Sequence, residues 1–179
     1  MTEQSSASPD ELRTLEQWME QYGRDVMSTA YAYVKNYHQA QDIAQEVFLR
    51  AYTKRDTFRG ESSLRTWLLA ITANRCKDYL RSWSKRYEVQ DETVYHKEVS
   101  AADTEGEVVA KLQRDALWNA VHHLPDKFRE VISLYYIQGL SSQEVAKVLC
   151  TTEQNVRTRL HRGRLLLKER LAEGGESRA

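Results

Sequence analysis

Cysteine occurs only twice in this chain of 179 residues, at Cys76 and Cys150, with no Cys-x-x-Cys spacing. That pattern gives no footing to a disulfide framework or a zinc site, and leaves at most a redox-sensing pair. No apolar run approaches the length that crosses a bilayer, and the polar start from Met1 to Asp10 has no charged-then-apolar signal pattern, so a cytoplasmic protein is expected. Gly-x-x-x-x-Gly-Lys-Ser/Thr, Gly-x-Gly-x-x-Gly and His-Glu-x-x-His are all missing, which removes the usual motifs of phosphate, dinucleotide and zinc-protease chemistry. Adjacent His122 and His123 would point about 100° apart on a helix and read as a partly exposed structural pair. Asp42 and Glu46 share a helical face, but two carboxylates without a further ligand make a poor metal site. No catalytic residue, metal or cofactor is expected, and the protein reads as a binding protein rather than an enzyme.

Net charge is missing too, with 26 basic and 26 acidic residues. The zero hides a sorting into blocks. From Arg50 to Arg86 ten basic residues face three acids, whereas from Glu88 to Glu107 seven acids face Lys97 alone. Segregation of this kind points to separate surfaces with separate partners.

Two-residue alternation of the kind a strand needs is scarce, and helical spacing dominates. Ser8, Pro9 and Glu11 form a helix start, followed by Leu12, Leu15, Trp18, Met19 and Tyr22 on one side, with Gly23 as a break. Val26, Ala30, Tyr33, Val34 and Tyr37 continue the pattern in a second helix. A third carries Ile43, Ala44, Val47, Phe48, Ala51 and Tyr52. After a polar loop, Ser62 or Ser63 caps a long fourth helix with Leu64, Trp67, Leu68, Ile71 and Leu80 inward. Beyond an acidic stretch the period resumes with Val109, Leu112, Ala116, Ala120 and Leu124, then with Phe128, Val131, Ile132 and Tyr135 after Pro125. The expectation is an all-α chain of two small helical domains: a disordered start at 1–9, a first domain at 10–86, a flexible acidic linker at 87–106, a second domain at 107–171 and a flexible end at 172–179.

The second domain holds the most specific signal. Ser141 and Glu144 form a capping box, Val145, Val148 and Leu149 an apolar face, and Cys150-Thr151-Thr152 breaks the period and offers a threonine cap. A further helix follows with Val156, Leu160, Gly163 and Leu167 inward. Its outer face carries Gln154, Arg157, Thr158, His161, Arg164 and Lys168, with five cations and no anion between Arg157 and Lys168. Two helices joined by a tight turn, the second with cations and amides outward, are laid out like a DNA-reading helix-turn-helix.

Taken together, Asp42-Ile-Ala-Gln-Glu-Val-Phe-Leu-Arg-Ala-Tyr52, Phe58-Arg-Gly-Glu-Ser-Ser-Leu-Arg-Thr-Trp-Leu68 and Asn74 resemble region 2 of bacterial sigma factors. Leu124-Pro125, Gly139-Leu-Ser-Ser-Gln-Glu-Val-Ala146 and Val156-Arg-Thr-Arg-Leu-His-Arg-Gly-Arg164 resemble region 4. Both blocks in this order, without a region 3, are similar to the extracytoplasmic-function (ECF) subgroup. The resemblance departs at Cys150, where such turns often hold glycine, and at Thr151, a commonly aliphatic position.

The resemblance implies a promoter-specificity subunit whose partners are core RNA polymerase, promoter DNA and an anti-sigma factor. It assigns Asp42, Gln45 and Glu46 to docking on core polymerase. Arg59, Gly60, Glu61, Ser62, Ser63, Arg65, Asn74, Arg75, Lys77 and Arg81 would hold the melted minus-10 strand. Gln154, Asn155, Arg157, Thr158, His161, Arg162 and Arg164 would read the minus-35 duplex, with Arg162 and Arg164 the phosphate anchors. Trp67 reads better as core than as a stacking platform. The acidic linker is either a solvated tether or a mimic of nucleic acid in the RNA path of the polymerase. A one-component DNA-binding regulator, dimeric on a palindrome, is the alternative within DNA binding.

Overall fold

The computed structural model describes residues 9–87 and 117–176, with side chains from Thr14 to Ser84 and from Leu117 to Ala172. Expectations for the cap at Ser8, for residues 88–106 and for Val109, Leu112 and Ala116 fall outside that range. All regular structure among the described residues is helical.

Helix α1 (Pro9–Val34) runs straight through Gly23, where the sequence predicts a break. A glycine inside a helix costs only about 1 kcal/mol relative to alanine. Burial of Val26, Ala30 and Tyr33 along the same helix outweighs that cost. The chain turns instead at Lys35, whose φ is 58° and whose N–H donates to the Tyr31 carbonyl at 2.9 Å. Asn36 then caps α2 (Tyr37–Thr53), its side chain accepting from the Gln39 N–H at 3.0 Å. Three expected helices are therefore two.

A short 3₁₀ turn (Arg55–Thr57) and Gly60, at φ 71°, lead into α3 (Leu64–Tyr87). Ser63 caps it by accepting the Thr66 N–H at 3.0 Å. Ile43, Val47, Phe48, Leu68, Leu69 and Ala73 fill the space between the three helices. Trp67 has the packing role expected of it, edge-on to Trp18 at 6.5 Å and tilted on Phe58 at 5.2 Å. Met19, expected inside, is 44% exposed.

The second half begins with a helical stretch at 117–122, followed by α4 (Asp126–Ile132), α5 (Ser142–Val148) and α6 (Glu153–Glu176). Between α4 and α5 the backbone widens at Ser133–Ile137 into i→i+5 geometry, with the Gln138 N–H donating to the Ser133 carbonyl at 3.0 Å. This turn shifts the register of the helical stripe. Leu134 is consequently buried, and Tyr135, predicted inward, is 36% exposed. Gly163 lets α6 come close to α4, since a Cβ there would lie 3.0 Å from Ile132 Cγ1. Arg129, buried at 4% exposure, donates to the Leu124 carbonyl at 3.0 Å and pairs with Asp126, tying off the end of the 117–122 helix.

The halves touch. α1 packs on α4 and on the wide turn, α3 packs on α5, and the buried apolar residues of both halves form one cluster.

Candidate nucleic-acid interface

The helix-turn-helix is built as its sequence suggests. Ser141 Oγ accepts the Glu144 N–H at 3.2 Å, while the Glu144 carboxylate accepts the Ser141 N–H at 2.8 Å. The bonds that the Ser141 N–H and hydroxyl donate to this carboxylate hold it below its usual range. At the other end of α5, the Thr151 N–H donates to the Ala146 carbonyl at 3.0 Å and the Cys150 N–H to the Lys147 carbonyl at 3.3 Å. This pair of bonds is a Schellman closure with Cys150 in the left-handed position, at φ 51°. Thr152 then caps α6, its Oγ1 accepting the Asn155 N–H at 3.2 Å. Ser142 donates across the turn to Glu153 at 2.8 Å and locks the two helices together.

Val156, Leu160 and Gly163 of α6 face inward, and Gln154, Asn155, Arg157, Thr158, His161, Arg162 and Arg164 are all exposed. Arg157, Arg162 and Arg164 give this face its positive charge. Arg157 is preset by Glu153 at 2.6 Å, and the Ser142 and Arg157 contacts depress the Glu153 pKa. Asn155 Nδ2 donates to Thr151 Oγ1 at 3.0 Å, and Arg164 donates to the Tyr136 hydroxyl at 3.3 Å. Arg159 is the exception among the cations: it turns inward to Glu130 at 3.2 Å.

The candidates around α3 divide into two groups. Arg59, Gly60, Glu61, Ser63, Asn74 and Arg81 are exposed; Ser62, Arg65, Arg75 and Lys77 are partly covered. Three of the covered four are cations engaged by acids. Arg65 Nε pairs with Asp25 at 2.6 Å, and its Nη2 donates to the Gln138 carbonyl at 2.7 Å. Lys77 pairs with Glu130 at 3.0 Å. Arg75 pairs with Glu46, which lowers the Glu46 pKa mainly through their hydrogen bond. The outer loop is also touched from the second half, since Lys147 Nζ donates to the Glu61 carbonyl at 3.3 Å.

On α2, Asp42 and Gln45 are exposed and Glu46 is half-covered, one helical turn apart on the face opposite Ile43 and Val47. Asp42 and Gln45 offer an open acidic and amide surface, whereas Glu46 is already committed to Arg75.

Sequence reasoning missed Glu130 and Gln138. Both lie off the apolar stripe of their own segment, and what they touch sits on other elements, 29 to 97 residues from Glu130 and 73 to 110 from Gln138, so no local signal marks them. His122 also differs from the expected partly exposed pair. It is buried between Tyr31 at 5.0 Å and Trp118 at 5.4 Å, while His123 is exposed. Burial, reinforced by Lys35 and Arg129, lowers the His122 pKa to about 4. Burial pushes the Cys76 thiol up to about 12, which leaves it unreactive at neutral pH.

Family models match the two halves in order: Sigma-70 region 2 over residues 18–86, and Sigma-70, region 4 over residues 114–167. The ECF RNA polymerase sigma factor SigW of Bacillus subtilis is 34% identical over 158 residues, which cover 84% of each chain. The ECF RNA polymerase sigma-E factor of Haemophilus influenzae is 30% identical over 138 residues, or 73% of each. The fold matches the sigma factor RpoE of Bartonella quintana, solved with the anti-sigma factor NepR, at a TM-score of 0.73 and 22% identity over 89% of this chain and 98% of that one. Both modules and a relative spanning most of its length establish that the chain belongs to the ECF RNA polymerase sigma factors.

Proposed function

We propose that this sigma factor binds core RNA polymerase through the α2 face of Asp42, Gln45 and Glu46 and directs initiation at its own promoters. The loop from Arg59 to Ser63 and the outer side of α3 hold the melted minus-10 strand: Asn74 captures a base, and Arg59, Arg65, Arg75, Lys77 and Arg81 follow the backbone. Helix α6 lies in the major groove of the minus-35 element. Gln154, Asn155, Arg157 and Thr158 at its N-terminal end read bases, His161 lies beside them, and Arg162 and Arg164 anchor phosphates. The protein acts by binding in the cytoplasm and leaves catalysis to the polymerase. Residues 10–86 and 107–171 serve as the two working domains, 87–106 as the acidic connection, and an anti-sigma factor as the regulator.

The observation that carries this reading is the exposed polar and cationic face of α6, set on a fully capped helix-turn-helix. The test is transcription by purified core polymerase with and without the chain, on promoters found by mapping transcription starts after overexpression. Promoter-specific RNA only when the chain is present is the expected result. Core polymerase that gains no promoter preference would overturn it. Asp42→Lys is the sharper docking variant, because Glu46→Lys would also set a second cation against Arg75.

A further inference from the structure

The recognition helix opens on an acid that stands beside a cation assigned to DNA. Glu153, the first residue of α6, gathers three donors on one oxygen. Its Oε1 accepts the Ser142 hydroxyl at 2.8 Å, and Arg157 Nε and Nη2 at 3.1 and 2.6 Å. Ser142 begins α5 directly after the capping box at Ser141, so the acid is anchored to the other helix of the turn. The Ser142 bond, ahead of the Arg157 bond, holds the Glu153 carboxyl below its usual range and keeps it charged at neutral pH. Its place at a helix N-terminus favours the same charge.

An exposed ion pair of this kind contributes little to folding. What it fixes is direction. A guanidinium is a rigid planar fork with two donating edges that matter here, one formed by Nε and Nη2 and the other by Nη1 and Nη2. Glu153 occupies the first edge and so turns the second away from itself, on a side chain that is 66% exposed. Two parallel N–H donors match the O6 and N7 acceptors of guanine in the major groove, whereas adenine presents an amino donor in place of O6. We propose that Glu153 is a specificity-determining positioning residue: it touches no base itself, and it holds Arg157 end-on so that the helix-turn-helix selects guanine at one position of the minus-35 element. The same carboxylate repels phosphates and so keeps Arg157 off the backbone. Arg164, by contrast, is steadied by the neutral Tyr136 hydroxyl at 3.3 Å, which suits a phosphate anchor.

This inference rests on the proposed function and deepens it, and holoenzyme binding to promoters with a randomised minus-35 element tests both. Core polymerase with the parental chain should enrich guanine in that element; a parental holoenzyme that enriches no minus-35 base overturns the functional reading itself. Arg157→Ala should reduce the guanine preference at one position by about fivefold or more. Glu153→Ala should reduce it at that same position by about threefold or more, leave the other positions as they were, and add nothing in the Arg157→Ala background. Promoters without that guanine should meanwhile bind the Glu153→Ala holoenzyme at least as tightly as the parental one, since an anion has left the DNA face. A purely structural acid would instead weaken every promoter alike. Glu153→Gln keeps the length and one accepting oxygen, so its preference should fall between those of alanine and the parental chain. It carries the test if Glu153→Ala proves to lose helix by circular dichroism. Enrichment without guanine, a guanine preference that Arg157→Ala leaves intact, or folded Glu153 variants that keep the parental preference or weaken all sequences equally would overturn the role of Glu153 and leave the functional reading standing.

Discussion

Helices α3 and α6 are both 24 residues long and both rich in cations, yet they present those cations in opposite ways. On α6 the Arg162 and Arg164 side chains stand in solvent beside Gln154 and His161, and Arg157, though paired with Glu153, remains 66% exposed. On α3 Arg65, Arg75 and Lys77 are each held by an acid of the same chain. Location accounts for the contrast. α6 lies on the outside of its half, whereas α3 lies between α1 and α2 on one side and α5 on the other. The proposed duplex-reading face of α6 is therefore open, whereas three cations of the proposed single-strand face are held by acids.

The largest expected effect lies on the inner side of this contrast and depends on pH. His122 packs against Tyr31 across the boundary between the halves, and its folded pKa of about 4 is below the free value of 6.5. Between those values the unfolded chain binds the proton and the folded chain does not, so stability falls as pH drops from about 6.5 toward 4. At ~1.4 kcal/mol per unit the full effect is about 3 kcal/mol. Chemical denaturation at pH 7 and at pH 5 should capture about 2 kcal/mol of it, and His122→Phe should flatten the dependence between those values. Carboxylates with lowered pKa values, such as Glu46 and Glu144, lose their contribution as pH falls through their free value of 4.5, which leaves the interval from pH 7 to 5 to the histidine. A His122→Phe chain that keeps the parental slope would show that the boundary is not titrating.

Next comes a direct comparison of one cation from each helix. Arg65→Ala strips Asp25 and the Gln138 carbonyl of their partner in a half-buried place and should cost about 1–3 kcal/mol of folding stability. Arg162→Ala, on the open side of α6, should change stability by no more than about 0.5 kcal/mol. In the holoenzyme it should instead weaken binding on matched and mutated promoters alike and lower the salt slope by about one. Arg157→Ala should cost about 1–3 kcal/mol on the matched minus-35 sequence alone. Equal stability losses for Arg65→Ala and Arg162→Ala would erase the distinction between the two helices.

How far the sequence revealed this contrast follows from the range of each signal. The exposed face of α6, the capping box at Ser141 and Glu144, and the strain at Cys150 were legible because each is decided within a few residues. The role of Trp67 was legible from the spacing of its apolar neighbours. The i→i+5 turn was not, since nothing local forces Ser133–Ile137 to widen, and it carried Tyr135 out of the core. Partnerships across the chain were likewise invisible: Arg65 and Lys77 count as free cations in a charge tally, and only the packing of α1 and α3 on the second half brings Gln138 and Glu130 to them. Gly23 misled for the opposite reason, a local signal overruled by the packing of α1.

The smallest expected effect compares the two left-handed non-glycine residues, one in each half. Lys35 closes α1 at φ 58° and Cys150 closes α5 at φ 51°, and each carries a Cβ penalty of about 1 kcal/mol that glycine would remove. Cys150 is exposed, and its Sγ makes only a weak 3.9 Å contact with the Lys147 carbonyl, so Cys150→Gly should recover most of that energy. Lys35 is exposed, but partial desolvation and the Arg129 charge of the second half hold its pKa down, with Asp126 opposing them. Removing its stem sacrifices packing at the boundary while relieving the same strain, so Lys35→Gly should gain less or nothing. Melting curves of the two variants, taken at neutral pH, check the order. A larger gain from Lys35→Gly would mean that the Lys35 stem contributes nothing to the contact between the halves, and that the boundary is held by polar clusters such as those at Glu130 and Arg65.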